Sequence, residues 1–121
     1  MLTGWENRAI ARLLEPEFPG RSELCLQLDR ASAKTIDDHG NGHGCIDIRS
    51  HSPAIAEVLQ RVPSEGQAAD ADGVDIHVLL HVVGGRMSEL EIFKDDGSDV
   101  VRLPDPDDID VFVFDPAWNG E

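Results

Sequence analysis

Histidine is the side chain most able to ligate a metal or move a proton near neutral pH, and the histidines of this chain fall into two groups. His39, His43, Cys45 and His51 lie close together in the first half. A structural zinc site wants close ligand pairs held in rigid tetrahedral geometry. Here the donors are spread through a glycine-rich connection, Asp38 to Gly44, and a strand whose alternation turns them apart. The spacing argues against zinc, and no metal ligand is assigned. His77 and His81 share one face of a strand, about 13 Å apart by strand rise, too far to hold one ion between them. Placed across a hairpin from Glu91, they are candidate polar groups for a ligand-binding or enzymatic face. An ordinary cross-strand His77–Glu91 pair accounts for the same residues without any ligand.

The third chemical feature is acidity. Asp95, Asp96, Asp99, Asp105, Asp107, Asp108 and Asp110 crowd the carboxy-terminal part of the chain. Residues 1–61 hold 9 acidic and 7 basic groups, net −2, whereas residues 62–121 hold 15 acidic and 3 basic, net −12. Such a field repels nucleic acid and anionic membranes and steers a basic protein toward the acidic half. Those aspartates are therefore the candidate partner-binding residues, although aspartate is also at home in turns and helix caps. No phosphate-binding glycine loop, nucleophile elbow or cysteine beside a sequence-marked catalytic histidine is present. Asp70-Ala71-Asp72-Gly73 lacks the later ligands of a calcium loop and suits a hairpin turn instead. No catalytic residue and no cofactor is implied.

At 121 residues, with 40% hydrophobic and 28% charged residues, the chain fits one globular domain, residues 1–121, with a core of its own. It has no apolar run of membrane-spanning length and no signal pattern, which leads us to expect a cytoplasmic protein with Cys25 and Cys45 reduced.

The elements that must position these residues are legible in the periodicity. Thr3 and Glu6 have capping-box spacing, and Ala9, Ile10, Leu13 and Leu14 form a helical stripe stopped by Pro16 and Pro19. Leu24, Leu28 and Ala31 predict a second helix over 21–31. Short strands are expected at 35–37 and 46–49. Residues 53–61 fit either a helix begun by Pro53 or a strand from about Val58, and the strand is preferred. The plainest signal is a hairpin over 74–93, turning at Gly84-Gly85. A bulged three-residue loop with Gly85 in the left-handed region would set Val78 against Leu90 and Ile76 against Ile92 on a dry face. His77 would then meet Glu91, and Leu79 would meet Glu89, on the wet face. A short strand is expected at 100–103. Asp105 should cap a helical turn begun by Pro106, and Ile109, Val111 and Val113 should form a last strand. The fold class is α+β: a mostly antiparallel sheet with two amino-terminal helices packed on one face.

The stretch Ile76-His77-Val78-Leu79-Leu80-His81-Val82-Val83, followed by Glu89-Leu90-Glu91-Ile92, Asp96-Gly97 and Leu103-Pro104-Asp105-Pro106, resembles a family of small bacterial proteins without an assigned activity. Phe18-Pro19-Gly20-Arg21 and Arg61-Val62-Pro63 resemble it too. The resemblance implies a stand-alone domain and carries no catalytic residues. Size and acidity invite an analogy with immunity proteins that neutralise basic toxins. Three functions follow: an acidic, non-enzymatic protein-binding module, immunity-like or regulatory; a ligand-binding or enzymatic domain using His77, His81 and Glu91; and a homodimer sealed by Phe112, Phe114 and Trp118. Monomer and homodimer both stay open.

Overall fold

The computed structural model describes residues 4–37, 45–58 and 60–113. Two helices, α1 (Gly4–Leu13) and α2 (Arg21–Leu28), precede six strands: β1 (Ala31–Asp37), β2 (Cys45–Ser50), β3 (Ser64–Ala69), β4 (Asp75–Val83), β5 (Arg86–Lys94) and β6 (Asp110–Val113). A 3-10 turn spans Pro106–Asp108. The strands form one sheet in the order β1-β2-β5-β4-β3-β6, antiparallel at every pairing. The fold is therefore α+β, with the helices against one sheet face. No helix among the described residues is long and apolar enough to cross a membrane. No disulfide joins Cys25 and Cys45.

Period-two alternation fixes which face is dry. Ile76, Val78, Leu80 and Val82 of β4 join Ile46, Ile48, Leu90 and Ile92 of the neighbouring strands in one core with Ile10, Leu13, Leu14 and Leu24 of the helices. Gly66 sits in β3 beneath α1, where a Cβ would lie 2.5 Å from Ile109 Cγ2 and 3.1 Å from Leu13 Cδ2. Only glycine lets the helix approach that closely. The helix is then fastened by polar contacts at its ends. The Ser64 hydroxyl donates to Leu13 O at 2.7 Å, the Trp5 indole donates to Pro104 O at 2.7 Å, and Arg12 Nε donates to Ile109 O at 3.1 Å. Glu6 lies in the first turn as expected. Thr3, its proposed capping partner, lies outside the described residues.

The β4–β5 hairpin forms, but not in the register expected from the sequence. Gly84 and Gly85 both have positive φ, 61° and 80°, as a two-residue type I′ turn demands. Val83 faces Arg86 and Val82 faces Met87, after which the register slips and His81 faces Glu89, with Ser88 as the extra residue. The bulge thus lies in the second strand and not in the loop. Val78 meets Ile92 and Leu80 meets Leu90, instead of Val78 meeting Leu90 and Ile76 meeting Ile92. Both choices keep the apolar residues on one side, so the faces are as expected and the partners are not.

Residues 51–58 and 60–63 form neither the helix nor the strand considered for 53–61. They carry the chain from β2, on one side of the hairpin, to β3 on the other, past the hairpin tip. Their backbone groups find partners there. Ala56 N–H donates to Gly85 O at 2.8 Å, and Val82 N–H donates to Arg61 O at 2.7 Å. The Gln27 amide, fully buried, donates to Ala54 O at 2.9 Å and Gly85 O at 2.8 Å and accepts from Met87 N–H at 2.8 Å. Arg86 reaches Ser50 O and Ser52 O at 2.6 and 2.8 Å.

Other expectations shift for similar reasons. The second helix stops at Leu28, because Ala31 and Ala33 alternate as strand β1 against Ser50 and Ile48. Residues 100–103 are not a strand. The Asp70 carboxylate takes the N–H groups of Val101 and Arg102 at 2.7 and 2.9 Å, which a strand would give to a neighbour. Asp70 also pairs with the Lys94 ammonium at 3.0 Å, both side chains being fully buried, and Asp72 lies 2.5 Å from the same ammonium. The turn expected at Asp70–Gly73 is present between β3 and β4. Burial pushes the Asp70 pKa up, but the Val101, Ala71 and Arg102 N–H groups and Lys94 outweigh it and hold the carboxyl at about 2. Burial likewise lowers Lys94, and its two aspartates more than offset this, raising it.

Two predictions follow from this packing. Gly84 has open space around it, whereas a Cβ on Gly85 would meet Ile55 Cγ2 at 2.5 Å and Ala56 O at 2.8 Å. G84A should therefore cost about 1 kcal/mol for its left-handed backbone, and G85A roughly 3 kcal/mol, for strain and clash together, in chemical denaturation. For Asp70, the folded pKa lies below its ordinary 3.8, so the folded state binds the proton less tightly than the unfolded chain. Its stabilisation is complete above pH 4 and is lost as pH falls toward 2, a loss of about 2 kcal/mol. Urea titrations at pH 2 to 5 should show that loss in the wild type and its absence in D70N.

Candidate functional site

The helices cover one face of the sheet, and among the described residues no helix packs on the other. Cross-strand register arranges this open face in rows. One row runs Asp110, Gln67, His77, Phe93 across β6, β3, β4 and β5; the next runs Phe112, Glu65, Leu79, Glu91. A third brings His81, Glu89 and Asp47 together across β4, β5 and β2. Phe93, Phe112 and Val83 are among the exposed large apolar residues, at 36%, 52% and 47% exposure. The face is thus an acidic surface studded with aromatic and aliphatic groups.

The polar candidates divide. His77 does not meet Glu91, as the expected register required. Phe93 lies opposite it, with the rings stacked at 5.0 Å, and His77 Nε2 bonds the Asp95 carboxylate at the end of β5. His81 and Glu91 do come together, Nε2 to Oε1 at 2.7 Å, although their Cα atoms are not direct partners. Arg61 Nε donates to His81 Nδ1 at 2.9 Å. That bond makes Nδ1 an acceptor, so the proton of the neutral ring sits on Nε2 and is donated to Glu91.

Glu89 completes a cluster that sequence reasoning missed. One ligand atom each from His81, Glu89 and Glu91 lies within 4.8 Å of the others, and all three side chains are half-buried. The expected register put Leu79 against Glu89 and so separated Glu89 from His81. The Ser88 bulge carries it two residues along. Asp47 also stands opposite Glu89 on the neighbouring strand.

The aspartate candidates mostly shape turns. Asp105 caps the 3-10 turn as expected, accepting from Asp107 N–H at 2.9 Å, and lies 3.2 Å from the exposed Arg8 guanidinium. Asp96 accepts from the Ser98 hydroxyl and N–H, at 2.5 and 3.0 Å, which lowers its pKa. Asp95, Asp99, Asp107, Asp108 and Asp110 are exposed; Asp95 and Asp110 border the open face. Of the first histidine group, His39 and His43 lie outside the described residues. Cys45 is half-buried in β2, and His51 is exposed beyond it. Phe114 and Trp118 also lie outside the described residues. A cleft of about 550 Å³ runs along Ala56, Glu57, Val58 and Arg61 at the hairpin tip, and another of about 410 Å³ borders Asp47 and Arg49.

Fold and face define a small α+β domain with an open, acidic antiparallel sheet. The chain matches the family described as Domain of unknown function (DUF6984) over residues 1–104, and it belongs to that family. The matched span contains His81, Glu89 and Glu91 and ends before the 3-10 turn and β6. No curated protein and no solved structure matches the chain.

If Asp105 is chiefly a cap, D105A should cost about 1 kcal/mol. The exposed pair Asp107 and Asp108 should accept D107K/D108K with a change within about 0.5 kcal/mol, since surface substitutions away from special features are nearly neutral. Thermal melts of the two variants beside the wild type measure both.

Proposed function

We propose that the protein is a cytoplasmic, non-enzymatic binding module, immunity-like or regulatory, that engages a basic protein through the open face of its sheet. The observation that carries this is the face itself. Asp47, Glu65, Glu89, Glu91 and Asp110 surround Phe93, Leu79 and Phe112 on a surface that no described helix covers. A docking surface needs apolar groups to desolvate and charges to steer, and both are present. Asp95 and Asp110 rim the same face, so part of the acidic carboxy-terminal set belongs to it. The side chains sit on strands, which hold their spacing better than loops. His77 and His81 are occupied with Asp95, Glu91 and Arg61, as packing groups of such a surface would be.

The test compares capture from a lysate of the native cell by the wild type and by E65K/E89K/D110K, with backbone NMR of each to confirm the fold. Basic proteins should be retained by the wild type, released as salt rises from about 0.05 to 0.5 M, and lost by at least about tenfold in the variant. Retention that ignores both salt and charge reversal would remove the face from consideration.

A further inference from the structure

We propose that His81, Glu89 and Glu91 form a binding site for one divalent transition-metal ion of the zinc type. Three observations meet there. The donors, one imidazole nitrogen and two carboxylates, lie within 4.8 Å of one another on adjacent strands, so small side-chain rotations bring all three onto one ion. Such a mixed nitrogen and oxygen set suits zinc, manganese or iron(II) better than the hard ions calcium and magnesium. Next, Glu89 has no hydrogen-bond or ion-pair partner among the described residues, and two further carboxylates stand beside it: Glu91 within 4.8 Å, and Asp47 directly opposite with Arg49 3.9 Å away as its own cation. Like charges facing each other across strands are destabilising, and a cation between Glu89 and Glu91 relieves that repulsion. Finally, His81 already lies in line with Glu91, so the metal would take the place of the proton that Nε2 shares with Oε1.

The surroundings also define what binding must change. A neutral imidazole that ligates through Nε2 keeps its single proton on Nδ1, the atom that now accepts from Arg61 Nε. Metal binding therefore moves the ring proton from Nε2 to Nδ1 with no net release from the histidine, and the exposed Arg61 side chain turns away from a ring that has become a donor. Arg61 thus opposes the metal, where an accepting carboxylate or carbonyl would support it. Three protein ligands leave the outer positions of the ion to water or to a donor from another molecule. The site stands on geometry and does not require the docking function proposed above.

Zinc titration of the full chain, followed by calorimetry and by ring 15N NMR of His81, tests the site. The expected result is one ion per chain and a switch of His81 from the Nε2-protonated to the Nδ1-protonated form. H81A, E89Q and E91Q should each weaken binding by at least about tenfold, whereas H77A should bind as the wild type does. R61A should bind several-fold more tightly, a gain that a merely crowded acidic surface would not show. Zinc that leaves the His81 ring tautomer unchanged would overturn the proposal. So would binding that survives H81A, or that is lost with H39A/H43A in its place. Capture of a basic protein by H81A, with zinc binding gone, would separate this site from the docking surface.

Discussion

Two consecutive glycines at positive φ commit the chain to a two-residue turn, and that turn is the point from which the rest of the molecule is assembled. A tight I′ turn continued without interruption would face Leu80 with Glu89 and drive carboxylates into the core. The extra residue at Ser88 restores the parity, so that Leu80 meets Leu90 and the sheet has one dry and one wet face. The turn then serves a second purpose. The Gly85 carbonyl accepts from both Gln27 and Ala56, which ties α2 and the crossing segment to the hairpin tip. A side chain at position 85 would occupy the space that Ile55 and Ala56 use, so the turn, the helix and the crossover are fixed by one residue lacking a Cβ.

At the other end of the hairpin the same role falls to a buried charge. Asp70 and Lys94 would each be costly to bury alone, and their pairing is tolerable because Asp70 also receives three backbone N–H groups. A hydrophobic pair of similar volume could fill the space, but it could not accept the N–H groups of Val101 and Arg102. The ion pair therefore sets the path of the chain after β5. It directs residues 100–105 beneath α1, where Trp5 bonds Pro104 and Arg8 meets Asp105.

What the sequence disclosed was local. The first helix, the alternation of β4 and β5 and the Asp105 cap all depend on residues within a few positions of one another, and periodicity or capping chemistry exposes them. The bulge was hidden because Ser88 has no compositional mark, and with it went the partners of His77, His81 and Glu89. The crossing segment was hidden because the groups that satisfy it, Gln27, Arg86 and the Gly85 carbonyl, are about 30 residues away in sequence. Asp70 was read as a turn residue for the same reason, since nothing local indicates that it and Lys94, 24 positions on, become neighbours. The candidate site suffered more than the fold, because a two-residue change of register preserves a face while replacing every pair on it.

The uneven distribution of charge takes on a specific meaning once strands are placed. The acidic half of the sequence supplies β3 to β6, and alternation puts Glu65, Glu89, Glu91 and Asp110 on the open face, while most of the other aspartates of that half lie in the turns around it. Such a surface repels itself, which opposes close packing of two identical faces and favours an oppositely charged occupant. Cations of two kinds satisfy that requirement: the side chains of a basic protein spread over the face, or a metal ion held at its most crowded point. The two overlap at Glu89 and Glu91 and differ beyond them, because Glu65, Asp110 and Phe112 lie toward β6 while His81, Glu89 and Asp47 lie toward β2. An ion at the β2 side would lower the repulsion locally and leave the β6 side acidic, so the one event would tune, and not cancel, the attraction that the other depends on.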